Sequence, residues 1–155
     1  MKTSAGILLY RRGEAGLEVL IGHMGGPFWE RKDAGAWSIP KGEMKDGENT
    51  LEVAKREFEE ELGSLPPAEP YLELGEVRQA SGKKVVVFAV QGDLDAESIR
   101  SNSFEMEWPR GSGRIQEFPE IDRAAWLSIA QALEKLVPAQ VQFLERLESA
   151  MSSST

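Results

Sequence analysis

The stretch GEMKDGENTLEVAKREFEEELG, residues 42–63, decides how the rest of the chain is read. A loop rich in glycine and charge over 41–47 gives way to a helical pattern from about Thr50 to Leu62. Gly63 supplies the stop signal of a left-handed C-cap. On a wheel advancing about 100° per residue, Leu51, Ala54, Phe58 and Leu62 fall in one arc and form a core stripe. Glu57, Glu60 and Glu61 gather on a second face, because separations of three and four bring side chains together. Glu52, Lys55 and Glu59 take the remaining, solvent-facing sector.

Three neighbouring carboxylates repel one another, at roughly a few tenths of a kcal/mol per pair. Acids crowded near a helix C-terminus also oppose the macrodipole. A bound cation relieves both penalties. Hard oxygen ligands with no histidine or thiolate nearby suit Mg²⁺ or Mn²⁺, and Mg²⁺ habitually shares its shell between carboxylates and substrate phosphates. A solvated acidic face is the competing reading of a bare E-x-x-E-E helix, and the spacing of the glutamates alone leaves both open.

The surrounding residues separate the two. Gly42, Glu48, Arg56, Glu57, Glu60, Glu61 and Gly63 together satisfy G-x5-E-x7-R-E-x-x-E-E-x-G. Chance produces such a match on the order of once in a million chains of ordinary composition. The pattern resembles the Nudix box, and Trp37-Ser38-Ile39-Pro40-Lys41-Gly42 is similar to what precedes that box. Phe58 stands where an aliphatic residue is usual and Ser64 where a larger apolar one is usual, departures that concern packing rather than chemistry.

The resemblance implies an α+β chain with the Nudix fold, an α/β/α sandwich around a mixed β-sheet, the box forming loop–helix–loop. It implies that Glu57, Glu60 and Glu61 bind Mg²⁺ or Mn²⁺, with the carbonyl of Gly42 a further ligand. Glu48 and Gly63 are then structural, and Arg56 orients a carboxylate. The implied activity is metal-dependent cleavage of a phosphoanhydride in a nucleoside diphosphate-linked compound, by water attack at phosphorus and without a covalent intermediate. The general base is open between a box glutamate and Glu117 or Glu120, which precede the last strand.

Competing functions leave different marks. A nucleotide sensor on the same fold, binding without turnover, usually lacks box carboxylates, and every one is kept here. Isomerases of this fold rely on a cysteine, and the chain has none. An acidic calcium-binding helix would prefer Ca²⁺ and hydrolyse nothing.

On either side of the box the chain alternates short β-rich runs with turns. Ser4–Arg12 and Leu17–His23 read as a hairpin, Ala36–Ile39 as a short strand stopped by Pro40, and Tyr71–Val77 and Lys84–Val90 as further strands. Asp93, Asp95 and Glu97 mark a loop or short helical turn. Phe104–Trp108 reads as a strand, Pro109–Arg114 as a loop, and Asp122–Leu127 as the last strand. Ser128 is an N-cap, and Pro138 opens a closing helix whose Val141, Phe143, Leu144 and Leu147 face the core. Residues 1–150 read as a single domain, with a frayed tail at 151–155.

Substrate contacts are expected from stacking aromatics and free cations. Phe28 and Trp29, in a Gly-rich loop, are candidates to sandwich a base. Arg31, Lys32 and Lys41 before the box, and Arg110 and Arg114 in a second Gly-rich loop, are candidates for phosphate. His23, at a strand end, reads as structural. Gln79-Ala80-Ser81-Gly82 occupies the region where some subfamilies carry a characteristic proline or tyrosine, which weakens, without excluding, an ADP-ribose or dinucleoside polyphosphate assignment. The compact size and the Gly-Gly-Pro-Phe-Trp loop resemble nucleoside polyphosphate members, so the favoured substrates are nucleoside triphosphates or dinucleoside polyphosphates.

A chain of 155 residues can bury a core without staples. Its formal charge of −8 argues against nonspecific binding to nucleic acid or an anionic membrane. It would also repel a phosphate substrate unless the acids hold cations that invert the local charge. The absence of cysteine excludes disulfides, thiolate zinc sites and cysteine nucleophiles, and suits a reducing cytoplasm. The apolar start is too short for a membrane span and lacks a signal-peptide cleavage pattern. The expected partner is a small nucleotide, bound by a monomer or homodimer.

Overall fold

The computed structural model describes residues 2–68 and 70–153. In chain order the elements are β1 (Thr3–Gly13), β2 (Gly16–Met24), β3 (Trp37–Ser38), β4 (Lys41–Glu43), α1 (Thr50–Leu62), β5 (Leu72–Arg78), β6 (Lys84–Gln91), β7 (Ser103–Glu107), β8 (Ile115–Pro119), β9 (Ile121–Ser128), α2 (Ile129–Lys135) and α3 (Val141–Ser153).

Strand β1 is buried on both faces from Ala5 to Leu9, which is why it reads as a continuous apolar run and not as an alternation. It lies in the middle of a sheet ordered β3-β2-β1-β6-β5, with β4 added to β1 and β9 to β2. β1 and β6 run parallel, and the other pairs are antiparallel. On one face, Ala5, Ile7 and Leu9 meet Val53, Ala54, Phe58 and Leu62 of α1. On the other, Leu8, Val19, Ile21 and Val87 meet Ala132 and Leu136 at α2, and Phe143, Leu144 and Leu147 of α3. Each layer buries its apolar stripe against the sheet, giving the α/β/α sandwich with a mixed sheet that the sequence implied.

The structure departs from the expectation in four places. Lys41–Glu43, read as loop, forms β4 and pairs with Ser4–Gly6 of β1. Three residues are too few to show a two-residue period, so no sequence pattern marks them. The segment Ile115–Pro119 was not expected to be a strand, yet it forms β8 and pairs with β7 in a separate two-stranded sheet, with Pro109–Arg114 as the connecting turn. Its residues are largely exposed and carry little hydrophobic signal. Pro138 opens a 3₁₀ turn, Pro138–Gln140, that leads into α3. Helix α3 runs on through Met151–Ser153, where fraying was expected, and the Arg12 guanidinium lies 3.8 Å from the Met151 sulfur. Ser154 and Thr155 lie outside the described residues.

The cap at Ser128 is present as a full capping box. Its hydroxyl accepts from the Gln131 N–H at 3.2 Å, and the Gln131 side chain accepts from the Ser128 N–H at 3.1 Å. Among the described residues no helix is long and apolar enough to cross a membrane.

Candidate active site

Helix α1 is held at both ends. Asn49 caps the start, its side-chain oxygen accepting from the Glu52 N–H at 3.0 Å. Gly63 caps the end with φ 79°, and its N–H donates to the Glu59 carbonyl at 2.8 Å. Two further carbonyls of the last turn are satisfied from the segment before β7. Asn102 donates to Glu60 O at 2.8 Å and Arg100 to Leu62 O at 3.0 Å. The Asn102 carbonyl in turn accepts from the Glu120 N–H at 2.9 Å, and the Glu120 carbonyl accepts from Gly25 at 3.0 Å. A backbone chain therefore runs from the helix C-terminus to Glu120 and on to the Gly-rich loop, and fixes their relative positions.

The box glutamates are not equivalent. Glu60 remains half-exposed, the Glu57 side chain is largely covered, and Glu61 is buried at 7% exposure. The buried stripe is turned slightly from the expected arc, because Val53 lies fully inside and Leu51 only half so. Glu61, seven residues beyond the fully buried Ala54 and only about 20° from it around the helix, shares its inward direction. Burial, reinforced by the Glu57 charge, raises the Glu61 carboxyl to about 9, even though the Lys41 ammonium and a hydrogen bond from the Lys41 backbone oppose the shift. Burial together with the neighbouring Glu60 raises Glu57 to about 7. Glu120 is raised too, by burial, against the pull of Lys41. Both Glu57 and Glu61 feel the Glu120 charge, which sets Glu120 beside the box acids.

Arg56 ties the outer part of this group together. Its guanidinium donates to Glu48 at 2.7 Å and lies 3.8 Å from the Glu57 carboxylate and 4.0 Å from that of Glu60. Glu48 also accepts from the Lys45 N–H at 2.6 Å, which folds the loop before α1 against the helix. Gly42 has its reason in the same place. A Cβ there would overlap the Glu57 carboxylate.

The donor set fits a hard divalent cation, since the acids gathered here offer carboxylate oxygens and no soft ligand. It is nevertheless open. Among the described residues no three acidic or histidine side chains converge tightly enough to form a ready cage. Mg²⁺ tolerates such a site because it fills its shell with water and substrate oxygens.

The other candidates divide. Trp29 and Lys41 both line a cavity of about 350 Å³, with Met24, Ser38, Gln79 and Pro138. Lys41 thus joins that cavity to the acids. Phe28 stands edge-on to Trp29 with ring centres 4.7 Å apart, and the Lys32 ammonium sits 3.5 Å from the Phe28 ring centre. Arg31 is exposed and forms no ion pair among the described residues. Arg110 and Arg114 stand at the exposed turn of the β7–β8 hairpin, likewise without an ion pair among the described residues. Glu117 faces Glu105 across that hairpin, away from the backbone chain that fixes Glu120. His23 is fully buried, bonded to Asp122 and to the Lys32 carbonyl. The sequence reading passed over Gln79 and the 137–140 turn as wall-forming residues, because their signal is placement on neighbouring turns and not any motif.

Comparison with known proteins agrees with this geometry. The family model described as NUDIX domain matches residues 1–147. No curated protein matches the chain. Similar solved structures include the NUDIX domain of Shewanella oneidensis NrtR complexed with ADP ribose, with a TM-score of 0.65 at 16% identity over 96% of this chain and 87% of that one. A mutT/nudix family protein from Listeria innocua gives 0.65 at 18% identity over 99% and 95% of the two chains. A C. elegans Ap4A hydrolase gives 0.62 at 18% identity over 99% of each. At these identities the likenesses establish the fold, while the match along nearly the whole length establishes descent: the chain belongs to the Nudix family.

Proposed function

We propose that the chain is a divalent-metal-dependent hydrolase of the phosphoanhydride in a nucleoside diphosphate-linked compound, with nucleoside triphosphates or dinucleoside polyphosphates as the favoured substrates. The observation that carries this reading is the buried carboxylate of Glu61, with the largely covered Glu57 next to it and with Lys41 reaching from Glu61 into an apolar cavity. Burying acids so that they hold protons is costly unless a cation replaces those protons during function.

Glu57, Glu60 and Glu61, with the Gly42 carbonyl, would hold Mg²⁺ or Mn²⁺. When bound, the metal neutralises the diphosphate, polarises its oxygens and lowers the pKa of water. The remaining work belongs to the chain. Trp29 offers an aromatic wall for a base, and Lys41 supplies positive charge between the cavity and the acids. Arg56 holds Glu57 and Glu60 in place through its bond to Glu48. Glu120, raised by burial and anchored through its backbone, is suited to accept a proton from the attacking water. The C. elegans Ap4A hydrolase and the ADP ribose complex of the NrtR NUDIX domain support a nucleotide ligand.

The open carboxylate set favours a second reading, a nucleotide-binding module that does not turn over. Mass spectrometry of products from a nucleotide panel, with Mg²⁺ or Mn²⁺ in heavy-oxygen water, separates the two. Labelled phosphate products support hydrolysis at phosphorus, and tight binding without products selects the module.

A further inference from the structure

The Gly-rich loop that carries Phe28, Trp29 and Lys32 is held to the sheet in an unusual way. Between Gly26 and Lys32 its backbone bonds are internal, from Trp29 N–H to Gly26 O at 3.2 Å and from Lys32 N–H to Trp29 O at 2.9 Å. The flanks of this stretch are held separately, Gly25 by the Glu120 carbonyl and Asp33 by the Trp37 indole N–H and the Lys135 ammonium, and Trp29 packs against the core. Among the described residues, the hydrogen bond that ties residues 26–32 themselves to the body of the protein comes from His23 on β2. Its Nε2 lies 2.7 Å from the Lys32 carbonyl, and its Nδ1 lies 2.8 and 3.1 Å from the two oxygens of Asp122 on β9. The ring is fully buried and packs edge-on against Trp37 with centres 5.4 Å apart.

The chemistry of these partners fixes one proton. A carbonyl oxygen only accepts, so Nε2 donates to Lys32. Nδ1 is thereby directed at the carboxylate, which stops the ring from turning and aims the donor at the loop. The chain has one histidine, and it is committed to this junction.

We propose that His23 is a positioning residue for substrate binding: it bolts the 26–32 stretch to β2 and β9, and so sets the place of Trp29 in the wall of the cavity beside Lys41. The proposal rests on the reading that this cavity receives the nucleoside. His23 touches neither the acids nor the reacting atoms, so its effect is on substrate capture and not on the chemical step.

Two substitutions distinguish the bolt from general packing. Glutamine can place an amide N–H near the Nε2 position, whereas asparagine reaches only the Nδ1 position and loses Lys32. Hydrogen-exchange mass spectrometry of the free protein reads the loop directly, without activity. His23→Asn is expected to speed exchange over 26–32 at least about tenfold, while His23→Gln stays within about threefold of the parent. In steady-state hydrolysis of the best nucleotide from the panel, His23→Asn should raise KM about tenfold with kcat within about threefold, and His23→Gln should restore KM.

Equal exchange in the two variants, or a fall in kcat at unchanged KM, overturns the proposal. If the parent protein hydrolyses no nucleotide, the proposed function fails, while the exchange comparison still decides whether His23 bolts the loop.

Discussion

The Glu57 carboxylate lies against the α-carbon of Gly42, in the space that a side chain at position 42 would fill. Gly42 sits in regular strand pairing with Ala5, so the backbone itself accepts alanine there, and the cost falls on Glu57 alone. Gly42→Ala is expected to lower kcat at least about a hundredfold by displacing that carboxylate, with a melting temperature close to the parent. Kinetics paired with a thermal melt check this, and an unchanged kcat would show that Glu57 can work from elsewhere.

Glu61→Gln keeps the shape of the neutral acid that burial favours in the metal-free protein, and its side-chain oxygen can still accept from the Lys41 backbone. At pH 8 without metal the variant should therefore melt no lower than the parent. Its kcat should nonetheless fall at least about a hundredfold, because a metal ligand is lost. Glu60→Gln should lose turnover similarly. Near-normal turnover in both variants would remove the proposed mechanism.

The raised carboxyls also set a pH dependence of stability. Glu61 at about 9 and Glu57 at about 7 lie above their ordinary value of 4.5. The folded state thus binds more protons than the unfolded one above that ordinary value. Their favourable contribution is complete at lower pH and is lost as pH rises through about 7 for Glu57 and about 9 for Glu61. Metal-free protein should melt at progressively lower temperature between pH 5 and pH 9, measured by calorimetry. Saturating Mg²⁺ should oppose that loss, and its binding should release protons, seen as heats that vary with buffer ionisation.

Arg56→Ala is expected to lower kcat about tenfold to a hundredfold, because Glu57 and Glu60 lose the cation that gathers them and Glu48 loses its partner. Arg56→Lys should recover only part of the loss, since an ammonium cannot reproduce the guanidinium's spread of donors. Full recovery with lysine would reduce the role of Arg56 to charge.

Phe58 fills the interface between α1 and the sheet and is fully buried. Phe58→Ala should cost about 3–5 kcal/mol in urea unfolding. A much smaller loss would mean that the interface closes around the gap.

Helix α1 was legible because two independent signals coincide, the apolar arc and the terminal glycine, while the cap at Asn49 emerged only with the structure. The mixed sheet was legible as a family property, since β1 and β6 look like ordinary apolar runs and nothing in either says that they pair in parallel. β4 and β8 left no trace, one for its length and the other for its polarity. The depth of Glu61 was hidden too, because the wheel placed three acids on one face without telling which edge of that face rolls under. Glu117 and Glu120 were indistinguishable by type and neighbourhood. Asn102 separates them, by holding the backbone of one at the end of α1 while the other rides on the outer hairpin.

The parallel register of β1 on β6 joins Thr3 to Lys84, some eighty positions apart. During synthesis at about 5–20 residues per second, the central strand of the sheet therefore waits several seconds for its neighbour to emerge. Until then Ile7, Leu8 and Leu9 have half their cover from the β2 hairpin and present an open edge to other chains. Conditions that slow translation or crowd nascent chains should burden this protein more than one whose central strands are adjacent in sequence.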